Sequence, residues 1–134
     1  MKNQWKMITI LLFGVCLFYL FTLTSRTSSQ GDRRPLRARS NANSLWVAVT
    51  SYNNEYGQFP PLTNAVLLRL LCGENPKKIV FFAVNERDLN KSGEFLDPWG
   101  TPYRILLEKD NVIVVRSAGK NRAWGDQDDL STRQ

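Results

Sequence analysis

Asp97-Pro98-Trp99-Gly100-Thr101-Pro102-Tyr103 is the stretch from which the rest of the chain is read. Two prolines and a glycine within seven residues exclude a helix. Pro98 lacks an N–H and fixes its own φ, while Gly100 takes φ > 0 without steric cost. Asp-Pro favours turn initiation, and Gly two positions after Pro suits a tight turn. Trp99 at the apex is useful only if its ring packs back on a core. Directly behind the turn come two apolar runs, Tyr103–Leu107 and Val112–Val115, joined by Glu108-Lys109-Asp110-Asn111. The pattern predicts a β-hairpin entered through a proline-locked aromatic corner.

Upstream of the corner the pattern changes from strand to helix. Ala38, Ala42, Leu45, Val49, Tyr52 and Tyr56 recur at alternating spacings of three and four, an apolar stripe at helical period. An amphipathic helix over 35–56 is expected, with Pro35 at its first position, Gly57 at its end and Pro60-Pro61 blocking resumption. Its stripe reads as core. Thr63 or Asn64 then caps a short helix over 65–71 whose apolar face is Val66, Leu67, Leu70 and Leu71. Ile79–Val84 is fully apolar and fits either a buried strand or an extended connector. Helix, helix, optional strand, turn, strand, strand gives an α+β fold with a small antiparallel sheet.

The 134 residues allow one small domain beside an anchor. Met7 to Leu23 is a 17-residue apolar run whose polar side chains are Thr9 and Thr22, bracketed by Lys6 and Arg26, with Trp5 at one edge. As a helix it measures roughly 26 Å, short but sufficient for a membrane span. A cleaved signal peptide is the competing reading, and the length of the run and the poor Thr22-Leu23-Thr24 cleavage site favour an anchor. The expected organisation is therefore anchor over 1–24, polar and basic linker over 25–34, and folded domain over 35–134. Net charge is +6, and all of it lies in residues 1–40, where seven basic side chains face Asp32 alone. The remaining domain is neutral, so the high pI is weak evidence for nucleic acid. Arg33, Arg34, Arg37 and Arg39 read first as a solvated juxtamembrane cluster, and second as a grip for lipid or nucleic-acid phosphates. There is no histidine, no nucleophile–base pair and no Gly-rich phosphate loop, which argues against an enzyme. Cys16 and Cys72, one in the apolar run and one in the domain, offer no disulfide framework.

Beyond the hairpin, Asp126, Asp128 and Asp129 crowd three carboxylates into four positions, in a stretch with Gly119 and Gly125. Like charges this close repel unless a cation or arginines sit between them. Oxygen ligands without His or Cys suit a hard cation such as Ca²⁺, and a solvated acidic loop is the plainer alternative.

Four landmarks in this order and spacing resemble a family: Tyr52-Asn53-Asn54-Glu55-Tyr56-Gly57-Gln58-Phe59-Pro60, the 97–103 corner, Ser117-Ala118-Gly119, and Asp128-Asp129-Leu130. They resemble the G-type major pseudopilins of type II secretion and their type IV pilin-like relatives, over about residues 36 to 131. The resemblance implies a pilin-like head, in which a helix partly in the membrane packs on a small antiparallel sheet. It implies a head in the periplasm, carried by a single pass through the inner membrane. It also implies a Ca²⁺ site in the loop after the last hairpin strand, with Asp126, Asp128 and Asp129 at its acidic end. Asn121, where the family often has Asp, and Ser131 join as further ligands. The front of the chain departs from the family. Family members carry a basic leader ending in Gly, then Phe, with Glu at the fifth mature position. Here Gly14 is followed by Val15, and no acidic residue precedes Asp32. An uncleaved anchor is the expectation.

The charge rule alone would leave the domain in the cytoplasm, since five arginines follow the run. The resemblance outweighs that count and gives an inward amino terminus with an exported domain. The expected function is a pseudopilin-like structural subunit of, or accessory to, a secretion or pilus-like assembly. Its partners would be similar subunits or platform proteins, with the membrane held through residues 7–23. The alternative is a stalked module that binds DNA or anionic lipid through its basic segment.

Overall fold

In a computed structural model the chain divides into two compact units between Gly31 and Asp32. The structure describes residues 31–57 and 63–132. The expected anchor over 7–23 and Pro60-Pro61 lie outside the described residues, as does most of the 25–34 linker. Among the described residues, no helix is long and apolar enough to cross a membrane.

The second unit is α+β, two helices and a three-stranded antiparallel sheet. Helix α1 spans Arg34–Tyr56, so Pro35 is its second residue and not its first. Helices accept Pro there because the first N–H groups have no partner to lose. Ala38, Ala42, Leu45, Val49 and Tyr52 are all buried, Ala48 joins them, and Tyr56 at the end of the helix is half-buried. Gly57 closes the helix at φ +82°, donating to the Asn53 carbonyl. Helix α2 spans Asn64–Leu71, capped by Thr63, whose Oγ1 accepts from the Val66 N–H at 3.4 Å. Its buried side chains are Leu67, Leu68 and Leu71, so Leu68 takes a place that the spacing had assigned to Val66 and Leu70, which stay half-buried.

Strand β1, Arg104–Leu107, pairs antiparallel with β2, Ile113–Ser117, with Ile105 opposite Val115. The link between them is a single 3₁₀ turn, Lys109–Asn111. Strand β3, Leu130–Ser131, adds to the far side of β2 and places Ser131 opposite Arg116. Helix α1 lies against β2 and β3. The core between them joins Leu45, Val49 and Tyr52 of α1 to Leu67 and Leu71 of α2, to Val115, and to Phe95 and Tyr103 of the corner region. Ile79–Val84 forms no strand and is a connector with a bend at Phe81.

Two side chains fix irregular backbone to this core. Asn75 is buried, and its amide N–H groups reach the carbonyls of Leu70 and Ile79 at 2.7 and 2.6 Å. Its Oδ1 accepts from the Ile79 N–H and the Tyr56 hydroxyl. Tyr103 donates its hydroxyl to the Ala38 carbonyl at 3.1 Å, tying the corner to α1. Burial, and then the nearby Asp97 charge, push the Tyr103 hydroxyl well above the ordinary tyrosine range. The folded chain therefore holds this proton at a pH where the unfolded chain, with an ordinary tyrosine near about pH 10, has released it. The stabilisation is complete below that pH and is lost as pH rises above it. The melting temperature of the full chain should fall more steeply above about pH 10 than that of Tyr103→Phe. Parallel curves for the two proteins would contradict this.

Candidate functional site

The corner that organises the sequence also anchors the candidate site. Asp97 carries a buried side chain. Its Oδ1 accepts from the N–H groups of Trp99 and Thr101 at 3.0 and 2.9 Å, which closes the turn from within. Its Oδ2 accepts from the Ser117 hydroxyl at 2.7 Å. Ser117 Oγ in turn accepts from the Gly119 N–H at 3.2 Å. One carboxylate thus couples the corner to the last residue of β2 and to the first turn of the acidic loop. A carboxylate with three donors is well satisfied inside a protein, where an unpaired one would be costly.

The acidic loop runs from Ala118 to Asp129 and returns beside its own start. Gly119 has φ +69°, and a Cβ there would lie 2.1 Å from the Asp128 carbonyl oxygen. Only glycine permits that approach. Asp126 accepts from the Asp128 N–H through Oδ1 at 2.9 Å and from the Asn121 amide through Oδ2 at 2.6 Å. Asp128 Oδ2 accepts from the Asn121 N–H at 2.9 Å, and Asp129 Oδ2 from the Gly125 N–H at 2.8 Å. Asn121 Oδ1 accepts from the Ala123 N–H. Each acidic side chain therefore caps main-chain donors of the loop, the local bonding that Asp and Asn favour in turns. Arg104 of β1 lies 4.0 Å over the Trp124 ring, a cation–π contact that pins the loop to the sheet edge.

The sequence-derived ligand set is thus partly assembled. Asn121, Asp126 and Asp128 are linked directly, and Asp129 faces Gly125. Ser131 sits in β3, within the ladder and outside the loop. Among the described residues, no three His, Cys, Asp or Glu side chains gather as a metal-holding group. One oxygen stands apart: Asp129 Oδ1 is buried and has no hydrogen-bond partner among the described residues. A cation would satisfy it, and the oxygen-only donor set suits Ca²⁺.

Trp99 is buried, beside a cavity of about 180 Å³ that Pro35, Lys120, Gln127, Asp128 and Leu130 also line. Its ring lies beside the start of α1 and the acidic loop, buried as the sequence predicted but outside the main cluster. In the basic cluster, Arg34 pairs with Asp32 at 2.9 Å and Arg37 with Asp88 at 3.1 Å, while Arg33 and Arg39 are exposed. Half of the cluster is thereby neutralised within the chain. Sequence reasoning missed Asp97 and Ser117 as the coupling pair. The one available signal was Asp97 four residues before Thr101, the spacing that lets a single carboxylate close a turn.

No family model, curated protein or solved structure matches this chain.

Proposed function

We propose that this chain is a membrane-anchored, pseudopilin-like structural subunit of, or accessory to, a type II secretion or type IV pilus-like assembly. The observation that supports this best is α1. Twenty-three residues of continuous helix lay one buried face along β2 and β3, and the sequence before that helix carries the apolar run over 7–23. A helix fused along its length to a small sheet behaves as one stiff body. It suits a head that must be held at a fixed height above a membrane. In this reading residues 7–23 cross the inner membrane once, the head lies in the periplasm, and contacts to similar subunits or platform proteins do the work. Two of the four arginines near the start of α1 are already paired within the chain, which weakens the DNA- or lipid-binding alternative. The test is photo-crosslinking of the full chain in intact membranes, followed by identification of the adducts. Pilin-like subunits or secretion platform proteins are expected. Adducts confined to lipid or DNA would favour the alternative.

The acidic loop would act in folding. Ca²⁺ held by Asp129 Oδ1, with Asp126, Asp128 and main-chain carbonyls, would bind the folded loop and not the unfolded chain. At a hundredfold excess over Kd this adds about 2.7 kcal/mol. The full chain in detergent should melt higher in millimolar calcium than in chelator, and Asp128→Ala should remove the difference. Superimposable melting curves would leave the loop as a self-capped acidic turn.

A further inference from the structure

A groove of about 760 Å³ runs beside α1, within the range of about 300–1,000 Å³ typical of ligand sites. Arg37, Ser40, Ser44 and Val47 line it at spacings of three and four, so one face of α1 supplies a wall. From Arg37 to Val47 that wall is roughly 15 Å long, enough for a chain-like ligand. Asn43 broadens it, and Ala83 and Asn85 of the connector also face the groove. Phe81, Phe82 and Phe95 add aromatic carbon. Phe81 packs on the Tyr52 and Tyr56 rings, at 5.7 and 6.3 Å between centroids, and Phe82 on Phe95 at 5.3 Å. This packing fixes the rings before any ligand arrives. The charged side chains of the lining, Arg37 and Asp88, are bonded to each other at 3.1 Å and cancel. The remaining polar groups are neutral amides and hydroxyls, and Ser40, Asn43, Ser44 and Asn85 are exposed.

We propose that this groove binds an uncharged glycan chain. Its chemistry selects the occupant. A nucleic acid or a strongly charged peptide would find no surplus charge to hold it. An apolar helix would bury the serine hydroxyls and asparagine amides without partners. A neutral sugar ring meets both demands. Its hydroxyls donate and accept, as the Ser and Asn side chains do, and its C–H face is apolar enough to lie on a phenyl ring. Asn43 and Asn85 are the main polar contacts, because a primary amide offers two donors and an acceptor at once. Phe81 and Phe82 carry the ring faces. The Arg37–Asp88 pair retains N–H donors and carboxylate lone pairs for a vicinal diol. This inference goes beyond the secretion reading and needs neither anchor nor platform, so the two stand or fall separately.

Titration calorimetry on the full chain tests it, in a detergent without a sugar headgroup, since such a headgroup would compete. The probes are three neutral hexasaccharides: cellohexaose, chitohexaose and maltohexaose. At least one is expected to bind saturably. Its affinity should hold between about 50 and 200 mM salt, where binding driven by phosphate contacts would fall by orders of magnitude. Asn43→Ala and Asn85→Ala should each raise Kd about tenfold. Both side chains are exposed, so the melting temperature should stay where it is. Arg39→Ala, exposed on the same helix but outside the groove, should leave Kd unchanged. Failure of all three sugars to bind would overturn the proposal. So would binding that weakens steeply with salt, or binding that survives both asparagine substitutions.

Discussion

Asp97→Ala should destabilise the full chain by about 3–4 kcal/mol through lost hydrogen bonds. Three donors lose their acceptor together: the N–H groups of Trp99 and Thr101, and the Ser117 hydroxyl. Trp99 and Ser117 are buried, so water cannot replace what is lost. Each buried donor left unpaired costs about 1–3 kcal/mol. The three act as one network, so the sum falls short of three independent penalties. Asp97→Asn should fall between. Its single oxygen can serve the turn while its amide donates to Ser117 Oγ, which must then turn its own proton elsewhere. Denaturant midpoints for the three proteins measure the effect, and equal midpoints would show that the corner closes without its carboxylate. Hydrogen exchange should separate the corner from the rest. In Asp97→Ala the Gly119 N–H should lose protection, because its acceptor, Ser117 Oγ, is no longer held in place.

That network marks where the sequence could be read and where it could not. The stripe from Ala38 to Tyr52 was legible because one helix carries its own register, and every third or fourth residue meets the same surface. The corner was legible because Pro98 fixes its own φ and Gly100 supplies the positive φ that the turn requires. Asp97 was legible as a turn former, but its second oxygen was not, because Ser117 stands twenty residues away and nothing local pairs the two. Strand β3 escaped notice for a similar reason. Two residues carry no alternation, and the strand exists only because β2 offers an edge, continued where the Thr132 N–H meets the Val115 carbonyl. The run Ile79–Val84 had the composition of a strand, but composition cannot say whether a neighbour is present. In the acidic loop the crowding of Asp126, Asp128 and Asp129 was plain from sequence. That their oxygens turn to the loop's own N–H groups depends on Gly119 and Asp128 closing to contact, which spacing alone does not reveal.

Trp99→Ala should cost about 3–5 kcal/mol, the range for a large buried aromatic. Trp99 is 6 % exposed, and together with Pro35 of α1 and Asp128 and Leu130 at the returning end of the acidic loop it lines one small cavity. Because it lies outside the main cluster of α1, α2 and β2, the loss should be uneven. The loop and the first turn of α1 should open first, while the amides of Leu45, Val49 and Val115 keep their protection. The indole makes a sharper test possible. Trp99 Nε1 is buried without a hydrogen-bond partner among the described residues, so the ring contributes its area and carries an unsatisfied donor. Trp99→Phe removes that donor along with part of the area, and the two changes oppose each other. At about 25 cal/mol per Å² the lost area is offset by relief of a donor worth about 1–3 kcal/mol. The Phe variant should therefore stay within about 1 kcal/mol of the native chain, while the Ala variant falls far below it. Measured side by side, a Phe variant as unstable as the Ala one would mean that the indole N–H has an acceptor, and that the space beside Trp99 holds a polar group bound to it.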